Sequence, residues 1–161
     1  MLLALLADVF LIARMDLGFY LNVYLYFLVL IHLPVVTEKH FALLVAFIIG
    51  ISVDQSLHTG GLHAAASLTA MYFRPVFIKA FGPREGREKA DYLTIYNFGV
   101  ANYILYLFFM TLIHQSCLVV LESFSVVSFP VMVMRILAGL GASLLLYIAL
   151  HLLTVRRSVA S

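Results

Sequence analysis

Five apolar runs, at roughly residues 20–36, 41–57, 62–79, 94–114 and 129–154, take up most of this 161-residue chain. At about 1.5 Å of rise per residue, helices of such lengths reach across a hydrocarbon core about 30 Å thick. A water-soluble domain of ordinary composition is about half apolar and a quarter charged. Here 64% of residues are hydrophobic and 11% charged, and the mean hydropathy is +1.07. Lipid offers the backbone no hydrogen-bond partner, so each run must satisfy its own N–H and C=O groups by forming a helix. The expected fold is therefore all-α: a polytopic membrane helical bundle, one integral membrane domain over residues 1–161. A weaker run at 1–13 carries Asp8 and ends at Arg14, which brings the expectation to about six transmembrane helices. The stretch "QSCLVVLESFSVVS" is apolar but interrupted by Glu122 and serines, and is expected to lie at the interface, or to dip in and out, rather than cross.

The basic residues set the orientation. Lys39 lies between the first two strong runs, Arg84, Arg87 and Lys89 follow the third near Lys79, and Arg156 and Arg157 follow the last. The connections around His58–Gly61 and Gln115–Ser128 carry no Lys or Arg. Lys and Arg are retained on the cytoplasmic side, which places both termini there. A net charge of +2 gives no reason to expect a nucleic-acid partner. One cysteine, Cys117, excludes an intramolecular disulfide and any multi-cysteine metal cluster. The start "MLLALLADVFLIARM" lacks the basic opening and small-residue cleavage pattern of a secretory signal.

The stretch "GISVDQSLHTGGLHA" places Asp54 about 5 Å from the outer end of its run. The conservative reading is structural. The carboxylate accepts from free N–H groups at the start of the next helix, near Gly60 to His63, and Gly60 and Gly61 allow the tight turn. A proton relay or a metal site through Asp54, His58 and His63 are alternatives, as is a surface for another protein. Charges at membrane depth face protein or water rather than lipid. Arg135 lies at a depth suited to Asp54, and Asp8 at one suited to Arg74. Three faces of small and polar residues are expected to meet: Phe47, Gly50, Asp54 and His58; His63, Ser67, Ala70 and Arg74; and Arg135, Gly139 and Ser143. His32, His114 and His151 are expected to be hydrogen-bonded near helix ends. The 22 Phe and Tyr residues are expected mostly to face lipid or the interface (13 Phe and 9 Tyr). No catalytic set, cofactor motif or metal-ligand spacing stands out, and no enzymatic activity is expected. Ser52, Gln55, Asn97 and Asn102 would be the candidates to line a small-molecule pocket.

Gly50 and Asp54, then "GLHA", then Arg74–Pro75 ten residues on, resemble the signature of the bacterial rod-shape-determining MreD family. "YLYFLVLIHLP" and "HQSCLVVLESF" extend the likeness to about residues 20–154, with one departure at His114–Gln115, where the family often has paired histidines. The resemblance implies a non-enzymatic, multi-pass protein of the bacterial inner membrane, without cofactor, in the cell-elongation machinery for peptidoglycan synthesis. It implies an MreC-like partner, together with a RodA-type glycosyltransferase, a penicillin-binding transpeptidase and the MreB filament. It also implies a fold similar to the substrate-binding subunits of energy-coupling-factor transporters, so a small-molecule-binding transporter subunit is the alternative. The structural or interaction candidates are Gly50, Asp54, Gly60, Gly61, His63, Arg74, Pro75, Glu122 and Arg135.

Overall fold

Proline decides where the first described helix stops. The computed structural model describes residues 24–82, 98–123 and 128–159, with side chains described as far as residue 150. Helix α1, Leu25–Ile31, ends at His32, whose N–H bonds Leu28 O. Two residues later Pro34 has no N–H to continue the ladder and disfavours helical backbone at Leu33. The expected span at 20–36, described from residue 24, is thus not one continuous helix; α1 has 7 residues, about 10 Å, too short to cross a bilayer alone. A turn with Thr37 N–H bonded to Pro34 O at 3.1 Å then leads into α2, Lys39–Leu57.

Helix α2 buries Ala42, Ala46, Gly50, Val53 and Asp54, a small-residue stripe at helical spacing that lets a neighbour come close. That neighbour is α3, Leu62–Phe81, reached through a turn with His58, Gly60 and Gly61 all at positive φ. The buried stripe differs from the expected face: Phe47 is 46% exposed and His58 is exposed at the helix end. The small side chains, which permit contact, fix the rotation of α2 and turn Phe47 outward. Helix α3 buries His63, Ala64, Ala66, Ser67, Ala70, Met71, Arg74 and Ile78, and so carries all four residues of its expected face. Pro75 lies inside this helix on its exposed side, where the carbonyl of Met71 loses its usual donor.

Helix α4, Val100–Ser123, is the central wall, packed against α3 on one side and α5, Phe129–Val159, on the other. It runs past His114 through "QSCLVVLES", which corrects the expected interfacial segment as far as Ser123. The polar residues there do not break the helix because they follow its period: Gln115 and Ser123 are buried, while Glu122 is exposed. Helix α5 buries Arg135, Gly139, Ser143 and Tyr147, one every fourth residue.

The described part is all-helical. Three of its helical segments are long and apolar enough to cross a membrane: Lys39–Leu57, Val100–Ser123 and Phe129–Leu150. The expected run at 1–13 lies outside the described residues. The bundle has an apolar core with polar residues set into it, and a largely apolar outer face. Asp54, His63, Ser67, Arg74, Thr111, His114, Gln115, Arg135 and Ser143 are buried, while Phe41, Leu44, Val76, Met134, Leu137 and Leu145 are each more than half exposed. That distribution suits a lipid surround, where outward apolar side chains cost nothing and polar ones must pair inside.

Candidate functional site

The α2–α3 hairpin holds the densest group of candidate residues. A Cβ placed on Gly50 would lie 2.5 Å from the Cα of Ala64 and 3.0 Å from the carbonyl of His63, so the two backbones touch there. One turn later Asp54, 3% exposed, accepts three hydrogen bonds: from the Thr59 hydroxyl, from His63 N–H at 2.9 Å and from Ala64 N–H at 2.9 Å. The two N–H groups belong to the first turn of α3, which has no intrahelical partner of its own for them, and the carboxylate also sits at the positive end of the helix dipole. The expected contact of Asp54 with the next helix start is therefore found at named atoms. Gly60 and Gly61, at φ +62° and +100°, supply the left-handed backbone of the turn that brings them together.

The relay and metal readings of Asp54 are not assembled. His58 is exposed at the tip, and the His63 ring turns away toward Tyr26, its Nδ1 3.1 Å from the tyrosine oxygen. Among the described residues no three His, Cys, Asp or Glu side chains converge as metal ligands would. Ser52 donates to Ile48 O within its own helix, Gln55 and Asn102 are exposed, and Asn97 lies outside the described residues. The pocket expected of a transporter is not drawn together by those residues.

A second site lies deeper, where α1 meets α3, α4 and α5. The Tyr26 hydroxyl lies 2.7 Å from His114 Nε2, 3.1 Å from His63 Nδ1 and 3.5 Å from Ser67 Oγ. All four residues are buried. His114 is stacked on Phe27, with ring centroids 4.1 Å apart. It sits mid-helix rather than near a helix end, which corrects the expectation for this histidine. His32 does cap a helix: Nδ1 donates to Leu28 O at 2.9 Å, so a neutral ring accepts from the Tyr103 hydroxyl at Nε2, also 2.9 Å. The side chain of His151 is outside the described set.

Helix α1 is short, and backbone carbonyls at its two ends and in the turn after it are held by other helices. The Tyr147 hydroxyl donates to Tyr24 O at 2.6 Å, the Tyr106 hydroxyl to Ile31 O at 3.2 Å, and Arg74 Nη2 to Leu33 O and, at 3.1 Å, to Pro34 O. Broken backbone at membrane depth survives when protein supplies the missing partners. Tyr26, Tyr103, Tyr106 and Tyr147 are each at most 1% exposed. These four depart from the expectation that the aromatics mostly face lipid or the interface, whereas Phe41, Phe47, Tyr72, Phe73 and Phe129 are exposed as expected; Tyr106 and Tyr147 reach main-chain carbonyls across a helix gap, while Tyr26 and Tyr103 reach histidine nitrogens. Arg74 is likewise bound to carbonyls, while Asp8 lies outside the described residues.

At the far end of α4, Arg135 is 5% exposed and donates to Glu122 at 2.8 Å and to Ser123 at 2.9 Å. This corrects the proposed match of Arg135 with Asp54. Glu122 is nearer in sequence and pairs with Arg135 between α4 and α5, whereas the Asp54 carboxylate is engaged by three donors of the hairpin. The Gln115 amide and Ser143 hydroxyl, 3.4 Å apart, continue the same seam inward.

Comparison with protein-family models, with curated proteins and with solved structures finds no match for this chain.

Proposed function

We propose that this protein is a non-enzymatic scaffold of the MreD type in the bacterial inner membrane. It would organise peptidoglycan synthesis during cell elongation by binding an MreC-like protein, with a RodA-type glycosyltransferase, a penicillin-binding transpeptidase and the MreB filament as further partners. In this reading the bundle has six spans, resembles the substrate-binding subunits of energy-coupling-factor transporters, and keeps both termini in the cytoplasm. The α2–α3 tip at His58 and the α4–α5 end at Glu122 then share the outer side.

The observation that supports it best is how the motif residues are used. Gly50, Asp54, Gly61 and His63 build one hairpin, and Arg74 ties the turn after α1 to α3. The Asp54 carboxylate and the Arg74 Nη2 bond protein groups, as expected of residues that hold a body rigid for a partner. One feature favours the rival reading, a small-molecule-binding transporter subunit: the interrupted helix α1 in the bundle core, since discontinuous helices build many transport sites. Here, however, the carbonyls freed by the interruption already bond Tyr106 and Arg74.

The deciding experiment is purification of the tagged chain in mild detergent from its native host, with mass spectrometry of proteins and small molecules that accompany it. An MreC-like protein is expected, and its loss in Asp54→Leu alongside loss of rod shape. Recovery of a stoichiometric small ligand and no elongation protein would replace this reading with the transport one. Topology is tested separately with an impermeant thiol reagent on His58→Cys in a Cys117→Ser background, where labelling of intact spheroplasts is expected.

A further inference from the structure

The proline that ends α1 also leaves a hollow beside it. Between α1 and α2 the chain turns through residues 33–38. This turn and the start of α2 surround an open groove of about 420 Å³, a volume in the range of small-molecule sites. Its walls are Leu33, Pro34, Thr37, Glu38 and Phe41. The carbonyls of Leu33 and Pro34 are taken by Arg74, so what these two residues give the groove is apolar. Phe41 adds a phenyl ring that is 58% exposed.

The place of the groove along the span sets two levels. Helix α2 is long and apolar enough to cross a membrane, and the groove lies at its first turn, where hydrocarbon gives way to headgroups. The wall of Leu33, Pro34 and Phe41 offers water no partners but suits an acyl chain, which gains dispersion contacts along it. Charge stands beside that wall. The Glu38 side chain neither caps α2 nor joins an ion pair among the described residues. The neighbouring Lys39 ammonium sits over the Tyr72 ring, 3.6 Å from its centroid, and so is not spent on Glu38. The first bond of the α2 ladder runs from Ala42 N–H to Glu38 O, which leaves the N–H groups of Lys39, His40 and Phe41 ahead of the ladder.

We propose that this groove is a site for a phospholipid whose headgroup carries a primary ammonium. One acyl chain lies against Leu33, Pro34 and Phe41. The ammonium donates to the Glu38 carboxylate, a charge-assisted bond, and the phosphate lies toward the start of α2, where free N–H groups and the helix dipole favour an anion. Phosphatidylethanolamine carries both poles a few atoms apart. An acidic phospholipid without an amine meets Glu38 as a like charge, so the carboxylate gives the site its selectivity. The site belongs to the bundle and does not depend on which protein partner the chain binds.

The test is thermal unfolding of the purified, delipidated protein in detergent, with phosphatidylethanolamine or phosphatidylglycerol of the same acyl chains added back, and native mass spectrometry of the same samples. Phosphatidylethanolamine is expected to raise the melting temperature by several degrees more than phosphatidylglycerol, and to be retained as one lipid per chain. Glu38→Gln removes the charge of an exposed side chain, so without lipid it is expected to melt like wild type. With lipid it is expected to lose the preference for phosphatidylethanolamine in both measurements. Equal stabilisation of wild type by the two lipids would mean a non-selective lipid coat and overturns the proposal. So does a Glu38→Gln protein that keeps the wild-type preference.

Discussion

Gly50 and Ala64 meet backbone to backbone, close enough that a Cβ at position 50 would lie 2.5 Å from the Ala64 Cα and 2.9 Å from its nitrogen. The same nitrogen donates to Asp54. Close approach and hydrogen bond are thus two halves of one joint. Without the glycine the helices stand too far apart for the carboxylate to reach, and without the carboxylate the approach would bury free N–H groups.

Gly50→Ala should therefore destabilise the bundle by about 1–3 kcal/mol, the usual cost of overpacking, because the obstacle is backbone and cannot swing aside. Gly60→Ala meets no atoms within 4 Å but holds φ +62°, and should cost about 1 kcal/mol through its left-handed backbone. Gly141→Ala, in open space on α5, should be neutral or mildly stabilising. Melting temperatures of the three variants in one detergent give the ranking; equal values for Gly50→Ala and Gly141→Ala would contradict the joint.

Asp54 should be judged by its acceptors. Asp54→Asn keeps one oxygen and turns an NH₂ group toward one of the three donors, leaving about one buried donor unpaired. Asp54→Leu strands all three. At about 1–3 kcal/mol for each stranded group, the order of stability is wild type, then Asn, then Leu, read as folded yield and melting midpoint. Asn and Leu falling together would point to a role for the charge itself.

The Glu122–Arg135 pair is lopsided, with side chains 42% and 5% exposed. Removing the exposed partner takes the compensating carboxylate from a buried cation, whereas removing the buried partner leaves a carboxylate that water can reach. Glu122→Ala is thus expected to cost more than Arg135→Met. Its cost should fall between the roughly 1 kcal/mol of an exposed pair and the roughly 3–5 kcal/mol of a broken buried one. In the double variant much of the Glu122→Ala loss should return. Chemical denaturation of all four proteins closes the cycle, and the absence of any recovery would show that Arg135 is not electrostatically dependent on Glu122.

The hairpin is legible in the sequence because its parts lie within ten residues of one another: a carboxylate, two glycines and the start of a helix can be joined by counting. The Tyr26 junction is not. Its members are separated by 37 and 88 positions, and the Tyr147–Tyr24 bond by 123, distances over which periodicity says nothing about partners. The break after α1 has a visible sign in Pro34, but the run around it is so apolar that hydropathy masks it. The continuation of α4 past His114 is hidden for the opposite reason. Gln115, Ser123 and Glu122 lower the mean hydropathy, although the first two point inward and the third pairs with Arg135.

Arg74 decides how far the interruption in α1 depends on its donors. Two opposing terms apply to Arg74→Met: a buried charge is removed, which by itself is favourable, and the carbonyls of Leu33 and Pro34 lose the guanidinium that bonds them. Both carbonyls belong to a non-helical turn; Pro34 O keeps the Thr37 N–H, whereas Leu33 O loses the donor that Arg74 supplies. The loss should prevail, at about 1–3 kcal/mol for the stranded Leu33 carbonyl. Arg74→Lys keeps a donor but not the planar fork that spans two oxygens, and should fall between wild type and Met. Tyr106→Phe, which strands only Ile31 O, should cost about 1–3 kcal/mol, and its combination with Arg74→Met should exceed either alone. Thermal melts in detergent supply the comparison; an Arg74→Met protein as stable as Arg74→Lys would mean that the turn is held by its packing and not by the arginine.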